Sequence, residues 1–402
     1  MSEFQASNFK KAQGGSAPDI VGKVEFTSPY FFVPPSGDTA SRPVSCAPGT
    51  IRFNTDVGTI EVYRGDTIGW EYIQKREGQY LGGAKATGSS STSFKGSNNG
   101  TGTRGIVGGG TRAPAAVNEI KFITVSTMGA DQDFGDLTKV KRYLVGVADR
   151  TRGLFIGGSP NTSPFGGLTD MEFITHASTG DAIDFGDTST THRGAGCADQ
   201  TRGVYTAGNV SPYNVINYVT IASAGASQDF GDLTDSDRNI DGSGCSSSTR
   251  GLFAGSYTPN TAFGRDDINF VTISSTGNAT DFGTLSTITF AQQSSSSNST
   301  RALFAGGYGG APNTQNTIQF VTIATTGNTT DFGDLTNNRK RSQQVPSPTR
   351  AVIIGGGVAP SEGNVTSMEK VEFSTTGNSV DFGTLANGTQ AGGYFSNGHG
   401  GL

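Results

Sequence analysis

The sequence predicts an all-β fold: a six-bladed β-propeller closed by its C-terminal strand, preceded by a small N-terminal β-module and an extended arm. Three observations predict it. A pattern of about 50 residues recurs six times along the chain. Each copy holds four short strand patterns, and four-stranded sheets repeated at that period are what a propeller sequence looks like. Sixty glycines and only 33% hydrophobic residues in 402 positions fit many tight turns rather than one thick apolar core.

The repeat is registered by Thr-Arg at Thr103, Thr151, Thr201, Thr249, Thr300 and Thr349, in steps of 48, 50, 48, 51 and 49 residues. After "TRGLFAGS" at Thr249 comes "DINFVTISSTGNATDFGTL" at Asp267, and the copy at Thr300 reads alike. Asp-Phe-Gly stands at Asp133, Asp184, Asp229, Asp281, Asp331 and Asp381. That tripeptide is a metal-binding signature in protein kinases, but a catalytic aspartate is needed once. Neither a phosphate loop with its strand lysine nor His-Arg-Asp accompanies it, so it reads as part of the repeat.

Four strands are predicted per repeat. Strand A is a stretch of small residues, such as "GAGCADQ" at Gly194. Strand B runs from Thr-Arg to a glycine pair, as in "RGLFIGG" at Arg152. Strand C alternates: Ile268, Phe270 and Thr272 share one face, Val271 and Ile273 the other, as in a sheet buried on both sides. Strand D carries Asp-Phe-Gly and follows a turn such as "STGN" at Ser275. Crowding around an axis accounts for the small residues of A. Cys197 and Cys245 occupy equivalent places in A and read as packed small apolar residues. A last A-like stretch, Gly388 to Leu402, has no Thr-Arg after it and is expected to complete the first blade, leaving no open edge.

Net charge of −5 argues against a nucleic-acid partner. Three cysteines (Cys46, Cys197, Cys245) make no disulfide framework. The N-terminus lacks the apolar core of a signal peptide, and no apolar run of about 18 residues is present, so neither export nor membrane insertion is expected. The chain reads as made in a cytoplasm.

The glycine pair after an aliphatic strand, "LFIGG" or "VIIGGG", resembles the kelch repeat of galactose-oxidase-like propellers over Gly102 to Leu402. Phe134, Phe185, Phe230, Phe282, Phe332 and Phe382 stand where kelch has tryptophan. Six arginines also recur in step: Arg104, Arg152, Arg202, Arg250, Arg301 and Arg350. A guanidinium bridges two acceptors well, so each is expected to pair with an Asp of Asp-Phe-Gly. The alternative is an Asp that caps its turn and an Arg that lies on the surface.

The first hundred residues differ. Residues 1–40 read as an extended arm, 41–77 as a β-module, 78–102 as a Gly/Ser-rich linker and 103–402 as the propeller. In the module, "TIRFNTD" and "TIEVYRG" are strands about a turn, and "GWEYI" is a third strand with the only tryptophan, Trp70. This stretch resembles a small module of bacteriophage tail-fibre and other virion proteins. The resemblance implies a virion protein, joined through its arm to other virion proteins, placed before a receptor-binding or decorating domain, and assembled as a homotrimer.

Recognition is expected on the loops of varying length, B–C and D–A, which open on one face. The B–C loops carry Phe165, Tyr213, Tyr257, Phe263 and Tyr308; the D–A loops carry Arg142, Arg193, Arg238 and Arg339. Aromatic platforms beside amides and hydroxyls suit sugars, and the arginines suit an acidic glycan on a host cell. Against enzyme chemistry, His176, His192 and His399 are the only histidines. They form no copper-ligand set with Tyr and Cys, nor a nucleophile–base–acid set. Asp-rich turns are too spread out for Ca²⁺, and no cofactor is expected. Two other readings stand beside the host-binding fibre: a head- or tail-decorating protein that makes only virion contacts, and a polysaccharide depolymerase built on a carboxylate pair.

Overall fold

The computed structural model describes residues 35–43, 46–56, 59–65, 69–72, 104–160, 166–191, 193–208, 211–236, 243–257, 264–286, 293–308, 314–358 and 363–402. The chain divides into two compact units, 1–86 and 87–402. The described residues are all-β. Most of the arm and the linker predicted at 78–102 lie outside them.

The first unit is one four-stranded sheet: β1 (Ser36–Gly37), β2 (Ile51–Asn54), β3 (Thr59–Tyr63) and β4 (Trp70–Tyr72), paired in that order. The three predicted strands are present. The short β1 adds a parallel edge from residues assigned to the arm, Ser36 facing Phe53. Alternation puts Arg52, Asn54, Glu61 and Tyr63 on a buried face. There Glu61 is fully covered and takes Arg42 Nη2 at 2.6 Å and Asn54 Nδ2 at 3.1 Å, so the buried charge has the partners it needs. The other face, with Ile51 47% and Ile60 38% exposed, is apolar.

The second unit contains six four-stranded antiparallel sheets among the described residues. The second to fifth sheets follow chain order, A to D. They are Val145–Ala148, Arg152–Ile156, Leu168–Thr175, Ile183–Thr191; Gly196–Ala198, Arg202–Thr206, Val215–Thr220, Gln228–Asp232; Gly244–Ser246, Arg250–Tyr257, Gly264–Thr272, Thr280–Thr284; and Ser294–Ser297, Arg301–Ala305, Gln315–Thr322, Thr330–Arg339. The sixth is Gln343–Pro346, Arg350–Ile354, Ser367–Glu372 and Val380–Thr384. The first takes its strand A from the far end of the chain: Gly393–Ser396 pairs with Arg104–Gly108, followed by Glu119–Thr124 and Gln132–Asp136.

Strands A are small because their backbones approach closely. A Cβ on Gly146 would stand 2.3 Å from Tyr394 O, and one on Gly244 would stand 2.5 Å from Gly196 O. Serine hydroxyls tie one strand A to the next: Ser246 Oγ donates to Ala198 O (2.7 Å), Ser297 Oγ to Ser246 O (2.6 Å) and Ser396 Oγ to Pro346 O (2.5 Å). Cys197 and Cys245 are free, buried and packed in apolar clusters between sheets, as the sequence suggests. Cys197 Sγ lies where a side chain on Gly251 would go, 2.3 Å from its ideal Cβ. Phe395, Val147 and Val345 meet Gly153, Gly203 and Gly105 in the same way, which explains why glycine so often follows Thr-Arg.

Asp-Phe-Gly is a joint between sheets. Its Phe is buried, and in the first five sheets it meets the strand-C aromatic edge-on, as in Phe270–Phe282 with centroids 6.0 Å apart; such a pair adds about 0.5–1.5 kcal/mol beyond its buried area. The Phe carbonyl accepts the N–H of a turn glycine in the next sheet: Phe134 from Gly180, Phe185 from Gly225, Phe230 from Gly277, Phe282 from Gly327 and Phe332 from Gly377. Phe382 accepts from Gly129 of the first sheet. The Gly of the tripeptide has φ between 132° and 153° and lies so close to that turn that a Cβ would collide with it.

The expected Arg–Asp pairs do not form. All six aspartates are exposed on the outer strand, where their charge keeps the sheet edge from pairing with another. The arginines reach backbone carbonyls of the following sheet instead: Arg152 Nη1 to Ala222 O (2.8 Å), Arg202 to Ile273 O (3.2 Å), Arg250 to Ala324 O (2.8 Å), Arg301 to Phe373 O (2.7 Å) and Arg350 to Ser126 O (3.2 Å). Arg104 bonds His176 O. Five of them stack on the strand-C aromatic of their own sheet, 4.8 to 4.9 Å from its centroid. In the sixth sheet Lys370 replaces the aromatic, and Arg350 Nε lies 3.2 Å from Glu372. The turn before Thr-Arg is capped by the residue two positions earlier. Asp149 Oδ1 accepts from the amides of Thr151 and Arg152, each at 2.6 Å, and from the Thr151 hydroxyl at 2.8 Å.

Candidate binding site

The chain enters each strand A through a D–A turn whose eighth residue before Thr-Arg is Tyr143, Arg193 or Arg341, with Ala391 in the same place at the end of the chain. All four adopt left-handed backbone, with φ of 59°, 62°, 56° and 59°. Non-glycine residues persist there only when their surroundings hold them. Here the backbone does so: Ala391 N–H donates to Arg341 O (2.9 Å), Tyr143 N–H to Ala391 O (2.7 Å) and Arg193 N–H to Tyr143 O (3.1 Å). Asp241 and Gln292 hold the same place in the repeat and lie outside the described residues.

These turns rim a small pocket lined by Tyr143, Arg193, Ser342, Arg341 and Gln293. Three guanidiniums surround the Tyr143 ring: Arg193 at 4.2 Å from the centroid, Arg142 at 5.3 Å and Arg341 at 5.4 Å. All three are half-buried. The floor is Tyr394, whose hydroxyl receives the Ser295 N–H at 3.3 Å, from the strand A of another sheet. Burial pushes the Tyr394 phenol up to about 12, so it stays protonated.

Below Tyr394 the inner strands end under a cover. The C-terminal turn packs on Ala198, Ser246 and Asn298, where side chains on Gly400 and Gly401 would collide with carbonyls. His399 Nε2 lies 2.7 Å from Ala148 O, and its Nδ1 accepts the Gly401 N–H at 3.1 Å. Those two bonds fit a neutral ring protonated on Nε2. Burial lowers its affinity for a second proton.

The predicted site residues are partly gathered. Arg142 and Arg193 meet at Tyr143. Tyr308 is half-buried with Lys340 Nζ 4.7 Å over its ring. Tyr213 is half-buried in its turn. Phe165, Phe263, Arg238, His192 and the Tyr257 side chain lie outside the described residues. Arg339 does not belong to the site. It is fully buried, paired with Glu369, and its Nη1 bonds Gly355 O at 3.2 Å. Burial disfavours the Glu369 charge, but hydrogen bonds from Ser379 and Thr336 and the charge of Arg339 outweigh it, holding the carboxyl below its usual range. Lys141 is its counterpart in the repeat, 2.6 Å from Asp170 and 2.5 Å from Glu172. Both residues clasp one sheet to the next. Sequence reading missed Arg341 and Tyr143; counting eight residues back from each Thr-Arg finds them.

His176 is buried at the end of a strand C, where other repeats carry Ile221, Ile273 or Ile323. Neither ring nitrogen has a hydrogen-bond partner, and the ring meets Phe395 edge-on at 5.6 Å. Burial brings it down to about 4, so it sits neutral in an apolar place.

No family model and no curated protein matches this chain. The solved structure of YjhT is similar to it with a TM-score of 0.50 and 9% identity, over 66% of this chain and 93% of that one. At that identity the likeness concerns fold alone, and it agrees with an all-β, propeller-like architecture.

Proposed function

We propose that the six sheets close into a six-bladed β-propeller, and that the chain is a bacteriophage virion protein, a fibre or spike, whose propeller binds an acidic glycan on the host surface without cleaving it. Closure is supported by the pairing of Gly393–Ser396 with Arg104–Gly108 and by the bonds from the sixth sheet to Gly129 and Ser126 of the first. The virion assignment rests on the resemblance of the N-terminal module, and the homotrimer on that resemblance too. The observation that carries the binding role is the gathering of Arg142, Arg193 and Arg341 about Tyr143 at the mouth of one pocket. Guanidiniums in a concave, partly desolvated place suit an anion.

The rival is a decorating protein that makes only virion contacts. The half-exposed apolar face of the module, with Ile51 and Ile60, supports a contact with other virion proteins in either case. A competition assay separates the readings. The purified full chain should block adsorption of virions to host cells; a decorating protein would leave adsorption untouched. Incubation with host polysaccharide should leave chain lengths unchanged, and shortened chains would make it a depolymerase.

A further inference from the structure

We propose that the turn Gly398–Leu402 is a lid that acid opens: a proton on His399, with His176 beside it, lifts the turn off the covered end. Three observations carry this. The turn is folded around one imidazole. His399 Nε2 lies 2.7 Å from Ala148 O, Nδ1 accepts the Gly401 N–H at 3.1 Å, and Leu402 N–H donates to His399 O at 3.1 Å. A protonated ring has two donors and no acceptor. It keeps the bond to Ala148, but Nδ1 then points a proton at the Gly401 N–H, and the contact that folds the turn becomes a repulsion. The same ring closes a cavity between the inner strands. Tyr394 bounds that space on the mouth side and His399 on the covered side, with Gly146, Gly196, Gly244 and Ser295 between them. Beside the first imidazole stands a second. His176 is buried edge-on against Phe395 of the closing strand, and neither of its nitrogens has a hydrogen-bond partner. A charge on His399 disfavours one on His176.

Among the described residues, Asp149 faces both rings, Arg104 faces His176, and Asp199 and Arg150 face His399. Burial is the largest influence on either ring and disfavours its charged form. Asp149 and the Arg152 carbonyl favour a proton on His176, Asp149, Asp199 and the Ala148 carbonyl favour one on His399, and Arg104 and Arg150 oppose them. Burial outweighs the favourable groups. Lifting the turn lets water reach the rings and restores their ordinary proton affinity, so protons favour the open lid. The lid is fully closed above about pH 6.5 and loosens as pH falls towards about 4.

Hydrogen exchange of the full chain, read by mass spectrometry at pH 7 and pH 4.5 and corrected for the intrinsic effect of pH on exchange, tests the lid. Amides of residues 398–402 should lose protection by about tenfold or more at pH 4.5, while strands Arg301–Ala305 and Gln315–Thr322 keep theirs. His399→Gln retains a donor for Ala148 O and cannot take the proton. His176→Ile installs the residue that Ile221, Ile273 and Ile323 supply in other repeats. The double variant should show equal protection of 398–402 at both pH values. Should His399→Gln loosen the turn already at pH 7, His176→Ile alone decides: its loss at pH 4.5 should be smaller than that of the unaltered chain. No loss at pH 4.5, an equal loss in all six sheets, or the same acid loss in the variants as in the unaltered chain overturns the lid.

Discussion

The two ends of the inner strands share a backbone and differ in what stands on it. At one end, turns with the same left-handed residue carry Tyr143, Arg193, Arg341 and Ala391 around an open pocket. At the other, Ala148, Ala198, Ser246 and Asn298 lie under the C-terminal turn, touched by His399, Gly400 and Gly401. The repeat sets where a residue sits; departure from the repeat sets what it does. The mouth collects large cationic and aromatic side chains at a place where the repeat demands only a conformation. At the covered end the His399 ring is bonded on both nitrogens within the chain.

Breaking the covered end should have the largest effect. Removal of residues 393–402 deletes strand A of the first sheet, the floor residue Tyr394 and the cover together. Calorimetry of the truncated chain should show no cooperative melt, whereas a near-normal melt would mean that the tail is an accessory. Next comes the clasp. Arg339→Ala leaves Glu369 buried without its counter-charge, held only by Thr336 and Ser379, and should cost about 3–5 kcal/mol in denaturant unfolding. The exposed Asp281→Ala should stay within about 0.5 kcal/mol.

Acid should act on the covered end before the mouth. His176 titrates at about 4 in the folded chain against an ordinary 6.5, and burial lowers His399 in the same direction. The unfolded chain therefore takes up these protons first. Their neutral burial is fully compatible with folding above about pH 6.5, and stability falls as pH drops from there to about 4. For His176 the loss is on the order of 3 kcal/mol. His176→Ile should flatten most of that slope in melts run between pH 4 and 7. An unchanged slope would place the acid sensitivity elsewhere. A smaller effect separates the two halves of the repeat signature: Arg250→Ala loses a stacked ring and a carbonyl bond, about 1–2 kcal/mol by urea denaturation.

Much of the architecture was legible because a repeated constraint leaves a repeated residue. Thr-Arg, the turn glycine and Asp-Phe-Gly each mark a place where every sheet meets the next. The A stretch after the last Asp-Phe-Gly was readable for the same reason. The partners were not. Arg and Asp recur in step, and opposite charge suggested a bond. The arginines instead satisfy carbonyls and lie on rings, neither of which has a sequence signature of its own. Arg339 and Arg341 are two residues apart: the first ends strand D and is buried against Glu369, while the second lies past the strand in left-handed backbone and lines the pocket. Tyr394 as a floor could not be foreseen, since five other sheets place Gly, Ser or Gln at that level.

The most direct test of the account is the adsorption competition with both rim arginines removed. Arg193→Ala with Arg341→Ala, in the full chain and with an unchanged melt, should reduce competition with virions for host cells at least tenfold. Competition as strong as that of the unaltered chain would contradict it and move recognition away from the axial mouth.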